Sequence, residues 1–108
     1  MEIILFGFSQ GGATIFRWAM DKFPKVNAFI LFGSMLPEDL DYHPYLDYFN
    51  SKKLIWMYGT EDQFLTAPRL EFARDVITKS KLNFEELTFE GRHVVSREVV
   101  KGLFEGKI

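Results

Sequence analysis

Three residues of this chain have side chains that could work together: Ser9, Asp62 and His93. A serine hydroxyl is a weak nucleophile until a base takes its proton, and a neutral imidazole is the side chain best suited to take it. A carboxylate behind the imidazole selects its tautomer and stabilises the cation that forms. Ser9 lies in Gly7-Phe8-Ser9-Gln10-Gly11, a G-x-S-x-G pattern preceded by the apolar run Ile3-Ile4-Leu5-Phe6. If a strand runs straight into a helix there, the serine occupies a sharp, strained tip and its hydroxyl projects. Gly7 and Gly11, two residues to either side, are expected where a side chain would collide with the neighbouring strand or helix. The helix that follows aims its free N–H groups and positive dipole end at the reacting centre. The Gln10 amide is therefore the expected oxyanion donor.

The acid and the base stand in comparable places. Asp62 follows the apolar run Leu54–Tyr58 in Tyr58-Gly59-Thr60-Glu61-Asp62-Gln63-Phe64-Leu65. His93 follows residues 83–89 in Phe89-Glu90-Gly91-Arg92-His93-Val94. In open α/β sheets, ligands and reactive groups gather outside the carboxyl ends of the strands. All three residues follow a predicted strand end, so one rim of the sheet would carry them. Plainer explanations exist for each. The glycines around Ser9 suit an ordinary strand-to-helix turn, and Gly-Thr-Glu-Asp is good turn chemistry for Asp62. Glu61 is an alternative acid, and His93 could precede a helix without any role. The second histidine, in Asp41-Tyr42-His43-Pro44, follows no strand and reads as a loop residue.

The elements that must position these groups are legible as periodicities. Residues 2–8 read as a strand whose run is continuously apolar from Ile3 onward, as in a strand buried on both faces of a parallel sheet. Residues 11–23 read as a helix with Ile15, Phe16, Ala19, Met20 and Phe23 on one face, ended by Pro24. Val26–Phe32 and Leu54–Tyr58 are further strands. Thr66 is a candidate N-cap for a helix with Pro68 in its first turn and Leu70, Ala73 and Ile77 inside. Residues 83–89 form a more polar strand suited to a sheet edge. Residues 94–104 read as a last helix with Val95, Val99 and Leu103 in register. The alternation of strands and helices predicts an α/β fold with a parallel sheet of about four strands and flanking helices.

Composition narrows the function classes. The chain has 108 residues, of which 47% are hydrophobic and 12 are Phe, as expected of a packed globular chain. Its net charge of −2, with basic residues scattered, gives no reason to expect a nucleic-acid partner. The absence of Cys excludes disulfides, thiol catalysis and thiolate-ligated metals. No run is long enough to span a membrane, and residues 3–8 are too short for a signal-peptide core, so a cytoplasmic location is the expectation. Nothing in the site calls for a metal or cofactor.

These residues resemble a known family. Gly-Phe-Ser-Gln-Gly-Gly-Ala at 7–13 is similar to the nucleophile elbow of the phospholipase/carboxylesterase family, the acyl-protein thioesterase-like α/β-hydrolases. Leu31-Phe32-Gly33-Ser34-Met35-Leu36-Pro37 is similar to the segment after that family's next strand. Gly59-Thr60-Glu61-Asp62 resembles its acid loop, and Gly91-Arg92-His93 its histidine loop. The order Ser, Asp, His is that of α/β-hydrolases. The resemblance implies a serine hydrolase of small-molecule carboxylic esters or thioesters, with Ser9 as nucleophile, His93 as base and Asp62 as acid. Two departures stand out. The acid loop continues Gln63-Phe64-Leu65-Thr66 where the family commonly has Pro-Val-Val-Pro. The family's domain is also about twice this length, so residues 1–108 read as one partial domain, its C-terminal half.

Residues 35–50 leave the second strand on the same rim and show no helical pattern. Met35, Leu36, Phe64 and Leu65 are candidates for the substrate pocket; the favoured reading of 35–50 is a connector whose aromatics cover the core. The four acids of this stretch are expected to discourage anionic substrates and to favour short uncharged acyl esters. The first strand reads as central, with nothing before it in this sequence to cover its outer edge. Either a missing N-terminal half covers it, or two copies pair through it as a homodimer. The alternative to an enzyme is thus a non-catalytic hydrolase half-domain that self-associates through that strand. A third reading keeps the fold for other triad chemistry, such as haloperoxidase or dienelactone hydrolysis, and is disfavoured by serine at the elbow.

Overall fold

In the computed structural model, which describes residues 3–93, four parallel strands form one sheet in the order β1-β2-β3-β4. These are β1 (Ile4–Phe8), β2 (Ala28–Phe32), β3 (Lys53–Gly59) and β4 (Phe84–Phe89). Helix α1 (Gly11–Lys22) joins β1 to β2, α2 (Leu46–Asn50) lies before β3, and α3 (Ala67–Ser80) joins β3 to β4. The register runs Phe8↔Phe32↔Met57↔Leu87, so the four carboxyl ends are aligned along one rim. The expected helix over 94–104 lies outside the described residues.

The central strands are buried as their uninterrupted apolar sequences demand. Every residue of Ala28–Phe32 is buried, as are Leu54 to Gly59. One face of the sheet packs Phe29, Leu31, Leu54 and Trp56 against Phe16 and Ala19 of α1, Phe49 of α2 and Ala73 of α3. Phe16, Phe29 and Phe49 meet with ring centroids 5.0–5.4 Å apart. Three rings so enclosed contribute heavily; truncating one to alanine typically costs about 3–5 kcal/mol. The other face carries Ile30, Phe32, Ile55 and Met57, flanked by Ile4, Phe6, Phe8, Leu87 and Phe89. β4 has half-buried and exposed positions and none fully buried, as suits an edge strand. β1 is the opposite edge among the described residues, and its positions are half-buried apart from Gly7.

Several expectations change in detail. Phe23 does not join the inner face of α1. It caps the helix in the left-handed conformation (φ 47°), donating its N–H to Ala19 O, and its ring turns out against Tyr45 and Tyr48. Pro24 ends the helix at this point, because the helical conformation is disfavoured for the residue before a proline. Thr66 precedes α3 in extended conformation, but its hydroxyl makes no capping bond. Residues 35–50 are more ordered than their sequence suggests. They contain a single 3-10 turn (His43–Tyr45) and α2, and bury Leu36, Tyr42 and Phe49 in the core. Aromatic anchoring, not periodicity, orders this connector.

Candidate active site

Ser9 is the last turn before α1, and its backbone is in the left-handed region at φ 55°. Of the three non-glycine residues with positive φ among those described, Phe23 and Lys81 end helices, where that conformation is routine. Ser9 begins one. A β-branchless but non-glycine residue held there stores strain that the surroundings must offset. The surroundings do so through hydrogen bonds: Ser9 N–H donates to Phe32 O at 3.1 Å, continuing the β1–β2 ladder, and Ser34 Oγ–H donates to Ser9 O. Ser34 is itself fixed from below, because Trp56 Nε1–H donates to its carbonyl at 2.8 Å.

The close approach of β1 and α1 explains two glycines, though not the expected pair. A Cβ on Gly7 would lie 2.5 Å from Gly12 Cα, so no side chain fits. Gly11 faces open space instead. The second crowded position is Gly12, where a Cβ would come within 2.7 Å of Leu31 Cδ2 and collide with Ser34. The first turn of α1 rotates Gly12, not Gly11, onto the sheet.

Asp62 and His93 come from separate loops that are stitched together. Thr60 N–H donates to Phe89 O and Glu61 N–H to Gly91 O, both at 2.8 Å. Across that seam His93 Nδ1 and Asp62 Oδ2 are 2.6 Å apart, and the two side chains are only 13% and 1% exposed. Asp62 also serves the turn: its Oδ1 accepts the Phe64 N–H at 2.9 Å. The turn reading and the partner reading of this residue are both satisfied, by different oxygens. Glu61 is exposed. The His93 ring is held by contact as well, with Phe8 and Phe64 at 4.8 Å between centroids. Below it lies Gly33 (φ 58°), where a Cβ would stand 3.0 Å from Nδ1.

These groups open on one cavity of about 600 Å³ at the carboxyl rim, lined by Ser9, Gln10, Met35, Phe64, Leu65, Arg69 and His93 among others. Ser9 and His93 thus share a space, while no hydrogen bond joins them among the described residues; such bonds are often long until substrate is bound. Gln10 is the N-cap of α1, and the first amides of a helix lack intrahelical acceptors. Of the expected pocket residues, Met35, Phe64 and Leu65 line this cavity. Leu36 does not: it is 2% exposed and belongs to the core beneath. Its neighbour Met35 faces the cavity because the chain turns after Gly33, so adjacent residues point to opposite sides. His43 is exposed and bonds to Asp41. Ser34 and Arg69 were not anticipated. Ser34 lies two residues past the β2 end on the shared rim, a position that could have drawn attention to it. Among the described residues no cluster of His, Asp or Glu could hold a metal ion, and no helix is long and apolar enough to cross a membrane.

No family model matches the sequence, and no curated protein matches it. A solved structure does: the protein Atu2452 of unknown function from Agrobacterium tumefaciens str. C58, at a TM-score of 0.58 and 13% identity. The likeness covers 99% of this chain and 52% of that one, so the chain spans about half the length of that structure. At this identity the likeness establishes the α/β fold alone.

Proposed function

We propose that this chain is a serine hydrolase of carboxylic esters or thioesters, of the phospholipase/carboxylesterase type. The observation that carries the reading is a strained Ser9 sharing one cavity with His93, whose far nitrogen is bonded to a buried carboxylate. With Nδ1–H donating to Asp62, the lone pair of Nε2 is left to accept a proton. Ser9 Oγ attacks the substrate carbonyl carbon as its proton passes to His93 Nε2. The carbonyl π pair moves to oxygen, and the Gln10 N–H and the positive end of α1 favour that charge. Collapse expels the alcohol or thiol, which takes the proton from His93 and leaves an acyl group on Ser9. Water repeats the sequence, releasing the acid and restoring Ser9.

Fluorophosphonate labelling followed by intact-mass measurement tests this. One adduct is expected on the wild type and none on Ser9→Ala. A folded wild type that takes no adduct favours the second reading, a non-catalytic half-domain that self-associates. That reading rests on β1, which pairs only with β2 among the described residues. The oligomer mass on the same sample then reports whether a second copy pairs with that strand.

A further inference from the structure

We infer that the cavity at Ser9 receives a substrate carrying a second, anionic group, a carboxylate, which pairs with Arg69. The inference deepens the proposed hydrolase reading and rests on it for the location of the reacting carbonyl. The charges around the cavity carry it. Arg69 lines the cavity, and among the described residues no Asp or Glu does. Asp62, the carboxylate that engages His93, is 1% exposed behind it. Arg69 is held in place: its Nη1–H donates to Phe64 O at 3.1 Å, on the loop whose ring packs on His93. A guanidinium presents five donors, and this bond uses one of them.

Arg74, one turn further along α3, shows what a structural arginine looks like in this chain. Its guanidinium is spent on both Glu86 oxygens and the Tyr58 hydroxyl, at 2.8–3.1 Å. Among the described residues no carboxylate pairs with Arg69. The N-terminus of α1 beside Ser9 adds positive potential of the same sign. Electropositive character at this mouth, in a chain of net charge −2, is a local property.

The acids of residues 35–50, expected to repel anions, do not reach this cavity. Asp39 is paired with Arg17 at 2.8 Å, and Asp41 with His43 at 2.9 Å. Glu38 and Asp41 line a different cavity, against α3. Among the described residues, an anion entering at Ser9 therefore meets Arg69, not a carboxylate. A planar guanidinium with free N–H pairs suits a carboxylate through two parallel bonds. Rim exposure of Arg69 makes the attraction moderate and sensitive to salt.

The test separates charge recognition from hydrolysis. Binding is measured by calorimetry on Ser9→Ala, comparing monomethyl glutarate with dimethyl glutarate at low salt. The monoanion is expected to bind about tenfold more tightly, and Arg69→Gln in that background to remove the preference while Arg69→Lys keeps part of it. Hydrolysis by the Ser9-containing chain is then measured on p-nitrophenyl hydrogen glutarate, with the charge on the acyl side, and on 4-(butyryloxy)benzoate, with the charge on the leaving group. p-Nitrophenyl butyrate is the neutral control. An Arg69-dependent preference in either arm supports the inference and says which side of the scissile bond faces Arg69. Equal binding of the two glutarates, or a preference that survives Arg69→Gln, overturns it even if esters are cleaved. A charge preference on Ser9→Ala with no fluorophosphonate adduct on the wild type leaves the anion site standing and removes the hydrolase reading.

Discussion

The chain contains two Asp–His pairs, and nearly everything about them differs except the residue types. Asp41 and His43 are two residues apart and 2.9 Å from each other, with side chains 72% and 62% exposed. The pair is a local turn: Asp41 Oδ1 also accepts the His43 backbone N–H. That side-chain bond to His43 holds the Asp41 carboxyl below the usual carboxylate range. Asp62 and His93 are 31 residues apart and almost wholly enclosed. Their loops are joined by backbone hydrogen bonds, and the imidazole is fixed by two aromatic rings and a glycine beneath it. The exposed pair is screened by water and contributes little. The enclosed pair keeps one ring nitrogen occupied and turns the imidazole toward a cavity shared with Ser9. A site is set by where the backbone places a pair, not by the pair.

The comparison can be broken in several ways. Asp62→Asn is expected to lower ester hydrolysis by about 10³–10⁴, because the wrong tautomer then faces Ser9. Asp41→Asn should leave it within about twofold; similar losses in steady-state rates for both would erase the distinction. Gly33→Ala puts a Cβ against His93 in a backbone conformation that disfavours alanine. A loss of about 30-fold in kcat with a smaller change in KM is expected, since misplacing a base by less than an ångström costs that order. Ser34→Ala removes the hydroxyl that holds the Ser9 carbonyl. Denaturant unfolding should show about 1 kcal/mol lost, and fluorophosphonate labelling should slow several-fold. The smallest effect is expected at a third ion pair. Arg74 hydrogen bonding holds the Glu86 carboxyl below its usual range. A depressed carboxylate stabilises the fold above its unfolded pKa and loses that contribution as pH falls through the folded value. Glu86→Gln should therefore cost about 0.5 kcal/mol at neutral pH and flatten the acid limb of a melting-temperature profile.

What was legible in the sequence follows from what is local. Strands β2 and β3 announce themselves because burial on both faces requires an unbroken apolar run. The turn at Ser9 is readable because its strain and close packing demand small residues in a short window. Even there, Gly11 was the wrong neighbour, since which glycine meets the sheet depends on the helix phase. Through-space effects were hidden. Leu36 is sequence-adjacent to Met35 yet lies in the core. α2 has no periodicity because Phe49 is anchored by distant rings. Ser34 acts on a residue 25 positions away, and Arg69 acquires its meaning only from the carboxylates that fail to reach it.

The hydrogen bond from Trp56 to Ser34 has an optical consequence. Of the two indoles in the chain, Trp18 is 46% exposed and Trp56 is 1% exposed. A water-soluble quencher reaches the first and not the second, so the residual emission belongs to Trp56. Its ring N–H is bonded to Ser34, and Ser34 to the carbonyl of Ser9. The strained tip is thereby wired to a native fluorophore two bonds away, and an event that moves Ser9 registers as a change in light from the middle of the sheet.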